Sequence, residues 1–416
     1  MSAKAKKKTM LMPQPGKAEN CNRFHRSRLA LLGSLCLFLS AIEYLIPKPL
    51  PFMRIGLANL PLLLALDILG PGEFFLLALL KILGQGIIGG TLFSYVFLFS
   101  LAGTGASAAL MYLLRRCWGK KYLGYAGLGC AGAMASNGIQ LVLARYLIFG
   151  ASLRYLIPPF LASGFITGIV LGLVCEYFCR HSRWYAAMGA GPQPKPPDKA
   201  PAESAPVQKQ QEHRQGRRQD LFNADELFAA GLLMAAFFLL SHSLPGRTAQ
   251  FLFFCLLARI LGKKINPFTT LIFMAGIVFF NLLAPYGKVL AVLGPLQITQ
   301  GSLLAGLEKA IMLEGLLMLS RACIKSDLRL PGTVGSLLGE SLRILELMRE
   351  KKNIIRRGHI IAGIDRLMLE MEAVNADDTK NAPYRKPRRS VKNMVLLGIM
   401  ALMTAVMGCA PCFFVM

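Results

Sequence analysis

Between Leu29 and Phe178 the chain is a succession of long apolar segments, and Lys81 stands near the middle of the third, FFLLALLKILGQGIIGG, residues 74–90. The rest of that segment is built for lipid. A cationic side chain at bilayer depth costs at least about 2.5–3.5 kcal/mol on insertion scales, so it faces a partner or a cavity. Lys81 therefore asks for a membrane bundle with a polar interior.

The composition points the same way. Of 416 residues, 54% are hydrophobic and 17% charged, against about 25% charged in ordinary soluble chains. The net charge is +25, from 47 Lys+Arg and 22 Asp+Glu. In a soluble protein that excess would suggest nucleic acid. Here the basic residues cluster between apolar segments, as the positive-inside rule describes, so no nucleic-acid partner is expected. The ten cysteines are scattered without a disulfide framework. No cleavable signal peptide is apparent, because the apolar run after the basic head continues into further membrane segments.

At about twenty apolar residues per crossing, spans fall near residues 29–46, 55–70, 74–90, 92–114, 125–149 and 155–178. The head (residues 1–28) and the loop from Arg115 to Lys121 are both basic and lie four spans apart, which places both, and the N-terminus, in the cytoplasm. Arg180, His181 and Arg183 follow the sixth span with the same parity. The expected architecture is all-α and polytopic. A six-helix membrane domain occupies residues 29–184, and residues 185–224 form a Pro-, Gln- and charge-rich linker that cannot bury a core.

A second membrane block of about four spans covers residues 225–325, with spans near 226–243, 248–261, 268–285 and 290–320. Residues 326–392 are expected as cytoplasmic amphipathic helices. There Leu338, Leu342, Leu345 and Met348 recur at helical spacing beside Glu340, Arg343, Glu346 and Arg349, a helix for the membrane face or for a soluble partner. Residues 393–416 read as a terminal span. Gly164, Gly168 and Gly172 lie four apart, as do Gly86 and Gly90, marking close helix contacts within the chain or with another subunit.

Residues 42–140 carry a resemblance. Ile42-Glu43 is followed by Pro47-x-Pro49-x-Pro51 and Arg54-Ile55-Gly56-Leu57-Ala58-Asn59-Leu60. Lys81 with Gly89-Gly90 follows, then Phe99-Ser100-Leu101-Ala102-Gly103 and Ala135-Ser136-Asn137-Gly138-Ile139-Gln140. This order resembles the membrane family called heptaprenyl diphosphate synthase component I, or Gx transporter, over roughly 150 residues. Lys81 stands where that pattern tends to have arginine, and Ser136 where it has histidine, while Asn137 and Gln140 are kept. The family is similar in turn to the six-helix substrate-binding subunits of energy-coupling-factor transporters. Residues 328–350 look like the coupling helices of the scaffold subunit of such transporters, with Arg356-Arg357-Gly358 nearest to its docking motif.

The resemblance implies one of two partners, a cytoplasmic ATPase or a prenyl synthase subunit. Catalysis in this chain is not expected. Prenyl diphosphate synthases hold Mg²⁺ with paired Asp-rich motifs, and here Asp377-Asp378 is the only adjacent pair. No phosphate loop or nucleophile–base motif stands out, and the five histidines have no metal-ligand spacing. No cofactor or metal is expected. Cys409 and Cys412 have redox-motif spacing without a thioredoxin-like surrounding and read as membrane-helix cysteines.

The candidate substrate-binding residues are Lys81, Gln85, Asn137, Gln140, Asn59 and Glu43. Lys81 would meet an anionic or carbonyl group, and the amides would orient the ligand by hydrogen bonds. The competing reading pairs Lys81 with Glu43 and uses the amides to bond helix to helix. Asp67, Arg145 and Glu176, near helix ends, read as snorkelling structural residues. Glu308, Lys309 and Glu314 share the tenth expected span, with no role assigned.

Three functions stay open at this point. The chain is a capture subunit for a small hydrophobic or vitamin-like molecule in a bacterial inner membrane, a non-catalytic membrane subunit of a polyprenyl diphosphate synthase or of a quinone- or flavin-linked membrane electron-transfer system, or a structural receptor without a ligand.

Overall fold

The structure is a computed structural model that describes residues 15–45, 56–189, 223–241, 243–263, 265–293, 296–325, 328, 332–351, 360–377 and 391–413. Among the described residues the secondary structure is helical apart from one short hairpin, the fold of a helical membrane protein. Helices α1 (Pro15–Leu45), α2 (Leu60–Ala65), α3 (Pro71–Ile88), α4 (Tyr95–Tyr122), α5 (Tyr125–Ala144) and α6 (Ile157–His181) build the first block, followed by α7 (Arg183–Gly189). Among the described residues four helices are long and apolar enough to cross a membrane: α3, α4 to Gly119, α5 with its π-helical extension to Phe149, and α6.

The second of the expected crossings is cut short. Residues 55–70 hold a 3-10 turn (Leu57–Asn59) and the six-residue α2, not a full-length helix. Pro61 fits the first turn of α2, where its missing N–H is not needed. Gly70 and Pro71 start α3 only a few residues later. Every residue of α2 is buried, so this piece is wrapped by its neighbours and needs no lipid-length span.

The glycine stripe of α6 serves the chain itself. A Cβ on Gly172 would stand 2.4 Å from the Ala126 Cα and the Tyr125 carbonyl oxygen, and one on Gly168 would stand 2.8 Å from the Cys130 Cα. Small residues let the α5 and α6 backbones touch, which is how helices associate where lipid leaves no hydrophobic drive.

The second block contains α8 (Ala224–Leu240), α9 (Leu244–Ile260), α10 (Pro267–Leu282) and α11 (Gln300–Cys323). Within the segment expected as a span at 290–320, residues Val289–Leu293 (β1) and Leu296–Thr299 (β2) pair as an antiparallel hairpin, and the helix starts only at Gln300. Val, Leu and Ile suit a strand as well as a membrane helix, which is why apolar content alone misplaced that boundary. The two blocks meet at the turn between α3 and α4, where the Phe93 N–H donates to Ser320 Oγ at 3.1 Å and the Phe93 and Phe228 rings lie 5.1 Å apart.

Helices α12 (Gly332–Glu350), α13 (Ile360–Asp377) and α14 (Val391–Phe413) complete the chain. The apolar face of α12 packs against α1 and α3 and buries Leu337, Leu338, Ile344, Leu345 and Met348. It is thus occupied within this chain rather than spread on a membrane face. α14 packs on α8 and α9, with Leu397 and Ala401 in their shared core.

The expected head and linker also shrink: α1 begins at Pro15, and α7 continues the fold to Gly189 with Trp184 fully buried. Asp365 of α13 accepts from the Ser182 hydroxyl and from the Trp184 N–H (3.1 Å), capping α7. Residues 1–14 and 190–222, the Arg356-Arg357-Gly358 motif, and the side chains of Cys409 and Cys412 lie outside the described residues.

A candidate ligand cavity in the first block

Glu43, Asn59, Lys81, Gln85, Asn137 and Gln140 come from α1, the 3-10 turn before α2, α3 and α5, and all six line one cavity. Glu43 stands near the C-terminal end of the long α1, and its Oε2 accepts from the Gly56 N–H at 3.2 Å. Gly56 has φ 91°, a left-handed conformation that glycine adopts without strain. That turn aims Asn59 at α3, where its Oδ1 accepts from Lys81 Nζ. Lys81 Nζ also lies 3.4 Å from Thr104 Oγ1 on α4. Lys81 is 3% exposed, so the cation that the sequence put at bilayer depth is held inside the bundle.

The amides divide their roles. Gln85 donates to Ser40 Oγ at 2.8 Å, tying α3 to α1. Asn137 Nδ2 donates to the Phe160 carbonyl at 2.9 Å, tying α5 to α6. Gln140 Nε2 donates to Ser136 Oγ one turn back at 3.0 Å. Helix-to-helix bonding and cavity lining thus fall to the same side chains. Two glycines make room for them. A Cβ on Gly164 would stand 2.1 Å from Asn137 Nδ2, and one on Gly103 would stand 2.4 Å from Gln140 Nε2.

Sequence reasoning did not name Thr104, Ser107 or Thr167, and it quoted Ser136 only as part of a motif; all four also line the cavity. Their signal is faint, because small hydroxyl residues are ordinary at helix contacts. Their spacing held a clue: Thr104 and Ser107 are three apart on α4, and Ser136 and Gln140 four apart on α5, each pair on one helix face. The cavity measures about 40 Å³. Drug-sized ligands occupy pockets of about 300–1,000 Å³, so in this conformation it takes a few waters or the polar head of a ligand.

A second polar centre closes one end of the block. Arg115 Nε and Nη2 donate to Asp67 Oδ1 and Oδ2 at 2.9 and 2.6 Å, and Arg115 Nη1 donates to the Leu123 carbonyl at 2.9 Å. The Tyr125 hydroxyl donates to Asp67 and lies 3.2 Å from that of Tyr185. Asp67 does not snorkel: it is a buried structural anion held by a bidentate arginine. Arg145 is exposed, and Glu176 pairs with Arg180 at 2.6 Å on the surface of α6. In the second block Lys309 donates to Asn281 Oδ1 at 3.0 Å, and Glu314 is buried. No group of three or more His, Cys, Asp or Glu able to hold a metal occurs among the described residues.

Residues 32–178 match the family described as heptaprenyl diphosphate synthase component I, which this part of the chain resembles. The six candidate residues Glu43, Asn59, Lys81, Gln85, Asn137 and Gln140 all lie inside that stretch. Residues 227–326 match a domain of unknown function, DUF8519. No curated protein and no solved structure matches the chain.

Proposed function

Starting from the resemblance of residues 32–178 to heptaprenyl diphosphate synthase component I, we propose that this block is a membrane-embedded capture domain. It binds a small hydrophobic or vitamin-like molecule, as the substrate-capture subunit of an energy-coupling-factor-like transporter does. The observation that carries this reading is the convergence of Lys81, Glu43, Asn59, Gln85, Asn137 and Gln140 on one buried cavity. A bundle that needed only to hold itself together would gain nothing from a buried lysine. Apolar packing is often as stable as, or more stable than, a buried charge with its partner.

The chain works without catalysis of its own, in a bacterial inner membrane with its N-terminus in the cytoplasm. An ATPase, supplied by another chain, drives release. Residues 225–325 serve as scaffold, and the exposed face of α12 (Arg343, Glu346, Arg349 and Glu350) is where a soluble subunit meets it.

The family description favours a second reading, a non-catalytic membrane subunit that recruits a prenyl diphosphate synthase. Purifying the tagged chain in mild detergent and identifying its companions by mass spectrometry separates the two. ATPase subunits together with a bound metabolite support capture and transport. A prenyl synthase with no metabolite makes the chain an anchor, and Lys81 a packing residue.

A further inference from the structure

We propose that the β1–β2 hairpin is a lipid-binding flap, lying with both faces in the headgroup and glycerol region of the leaflet away from the cytoplasm. This placement is independent of what the first-block cavity holds.

The level follows from the two helices that carry the hairpin. α10 leads up to it and α11 leads back. At their far ends Lys263 Nζ, just before α10, donates to the Ile324 carbonyl, just after α11, at 3.2 Å. Arg259, Lys263, Arg321 and Lys325 make that end basic, which marks it as cytoplasmic. The hairpin therefore stands at the opposite membrane surface. α10 has 16 residues, about 24 Å at 1.5 Å per residue, against a hydrocarbon core of about 30 Å. Phe268, Leu271, Ile272 and Phe279 are exposed along it, an apolar surface suited to lipid. A helix this short leaves the chain that follows it at the membrane boundary rather than clear of the membrane.

The hairpin carries the side chains that such a place requires. Val289, Leu290 and Val292 are 54%, 59% and 63% exposed, and Ala291 is exposed between them. Ala291 and Val292 are successive residues paired with Ile298 and Gln297, so they point to opposite faces. An antiparallel sheet at a protein surface commonly turns one polar face to water. Here, among the described side chains of the two strands, Gln297 alone is both polar and exposed. Water would meet apolar groups on either face.

The backbone edges limit the depth. Among the described residues no third strand joins the pair. The outward N–H and C=O groups of a two-stranded ribbon find no partner in hydrocarbon, whereas headgroups and interfacial water supply them. Tyr286, 56% exposed, and the exposed Lys288 stand at the foot of the hairpin, a ring and a long cation of the kinds that settle at that interface. The foot itself is pinned to the start of α11. The Tyr286 N–H donates to Thr299 Oγ1 at 3.1 Å and lies 3.2 Å from Ser302 Oγ, and the Gln300 N–H donates to the Lys288 carbonyl at 2.8 Å. So held, the flap makes up the thickness that α10 lacks.

The test uses the full-length protein in lipid bilayers, with Leu290→Trp and Val292→Trp made separately. It reads the emission that each adds to that of the parent's two tryptophans. Three quenchers are compared: a phosphatidylcholine brominated near the glycerol end of its acyl chains, one brominated near the chain ends, and acrylamide in the water. Both added signals should lose most of their intensity to the glycerol-end bromines and less to the other two. Both positions are exposed, so melting curves should match the parent's. Stronger loss to acrylamide at either position puts that face in water, and stronger loss to the chain-end bromines puts it in hydrocarbon. Loss to no quencher means that protein covers it, as a second copy or an added strand would. Each of these three results overturns the proposal.

Discussion

Lys81 on α3 donates to Asn59 at the head of the short segment that leads into α2, and eight residues later the same segment ends on Asp67, clamped by Arg115. One buried piece of chain therefore joins the cavity to the Asp67–Arg115 centre. Any ligand that draws Lys81 away from Asn59 acts directly on that piece.

The clamp end should be the more costly to break. The Asp67 and Arg115 side chains are 7% and 10% exposed, and removing one partner of a buried pair costs about 3–5 kcal/mol. Asp67→Asn should therefore lower the melting temperature sharply, whereas Glu176→Gln, which breaks a surface pair, should shift it little. Equal effects in thermal melts would contradict the assigned roles.

Close approach of α5 and α6 predicts a contrast between glycines. Gly172→Ala places a methyl against backbone atoms 2.4 Å away and should cost about 1–3 kcal/mol, as overpacking does. Gly105→Ala on α4 meets nothing within 4 Å and should gain about 0.5–1 kcal/mol from the lost freedom of glycine. Denaturation of the two variants side by side checks the sign of each.

Helix α12 is held by its apolar face. Leu345→Asp puts a charge where the side chain is 3% exposed and should release α12 from α1, read as faster hydrogen exchange in both helices. Glu340→Gln removes an ion pair with Arg26 whose side chains are 49% (Arg26) and 19% (Glu340) exposed, and its effect should stay within about 1 kcal/mol. If Glu340→Gln releases the helix and Leu345→Asp does not, the packing account is wrong.

A pH dependence follows on α13. Burial pushes the Glu372 carboxyl above its ordinary value of 4.5, against the pull of nearby Arg28. A carboxyl raised in the folded state binds its proton more tightly there than in the unfolded chain, so its contribution is present below 4.5 and fades as pH rises through the raised value. Glu372→Gln should thus melt like the parent in acid and above it near neutrality. A parent that outlasts the variant at neutral pH would reverse the sign.

Much of this was legible in the chain. Lys81 betrayed the polar interior because a charge in an apolar helix has few reasons to exist, and the amides around it are rare enough in lipid to stand out. The hydroxyls of Ser107 and Thr167 were hidden, since such residues also serve plain helix contacts. Helix length was the other blind spot. Apolar content made residues 55–70 and 290–320 look like full crossings. Pro61, Gly70 and Pro71 carried the signal that the first was broken, and Gly294-Pro295 the turn signal of the hairpin. The burial of α12 against α1 left its trace only as an amphipathic pattern, which names a face without naming what covers it.

The central claim is that the cavity around Lys81 holds a ligand. Its most direct test compares the small-molecule extract of the purified wild-type chain with that of Lys81→Met, each accompanied by a melting curve. The account predicts a molecule retained by the wild type and absent from the variant, with the variant still folded. Identical extracts from two folded proteins would contradict it, and loss of the folded variant would make Lys81 a structural partner of the residues around it.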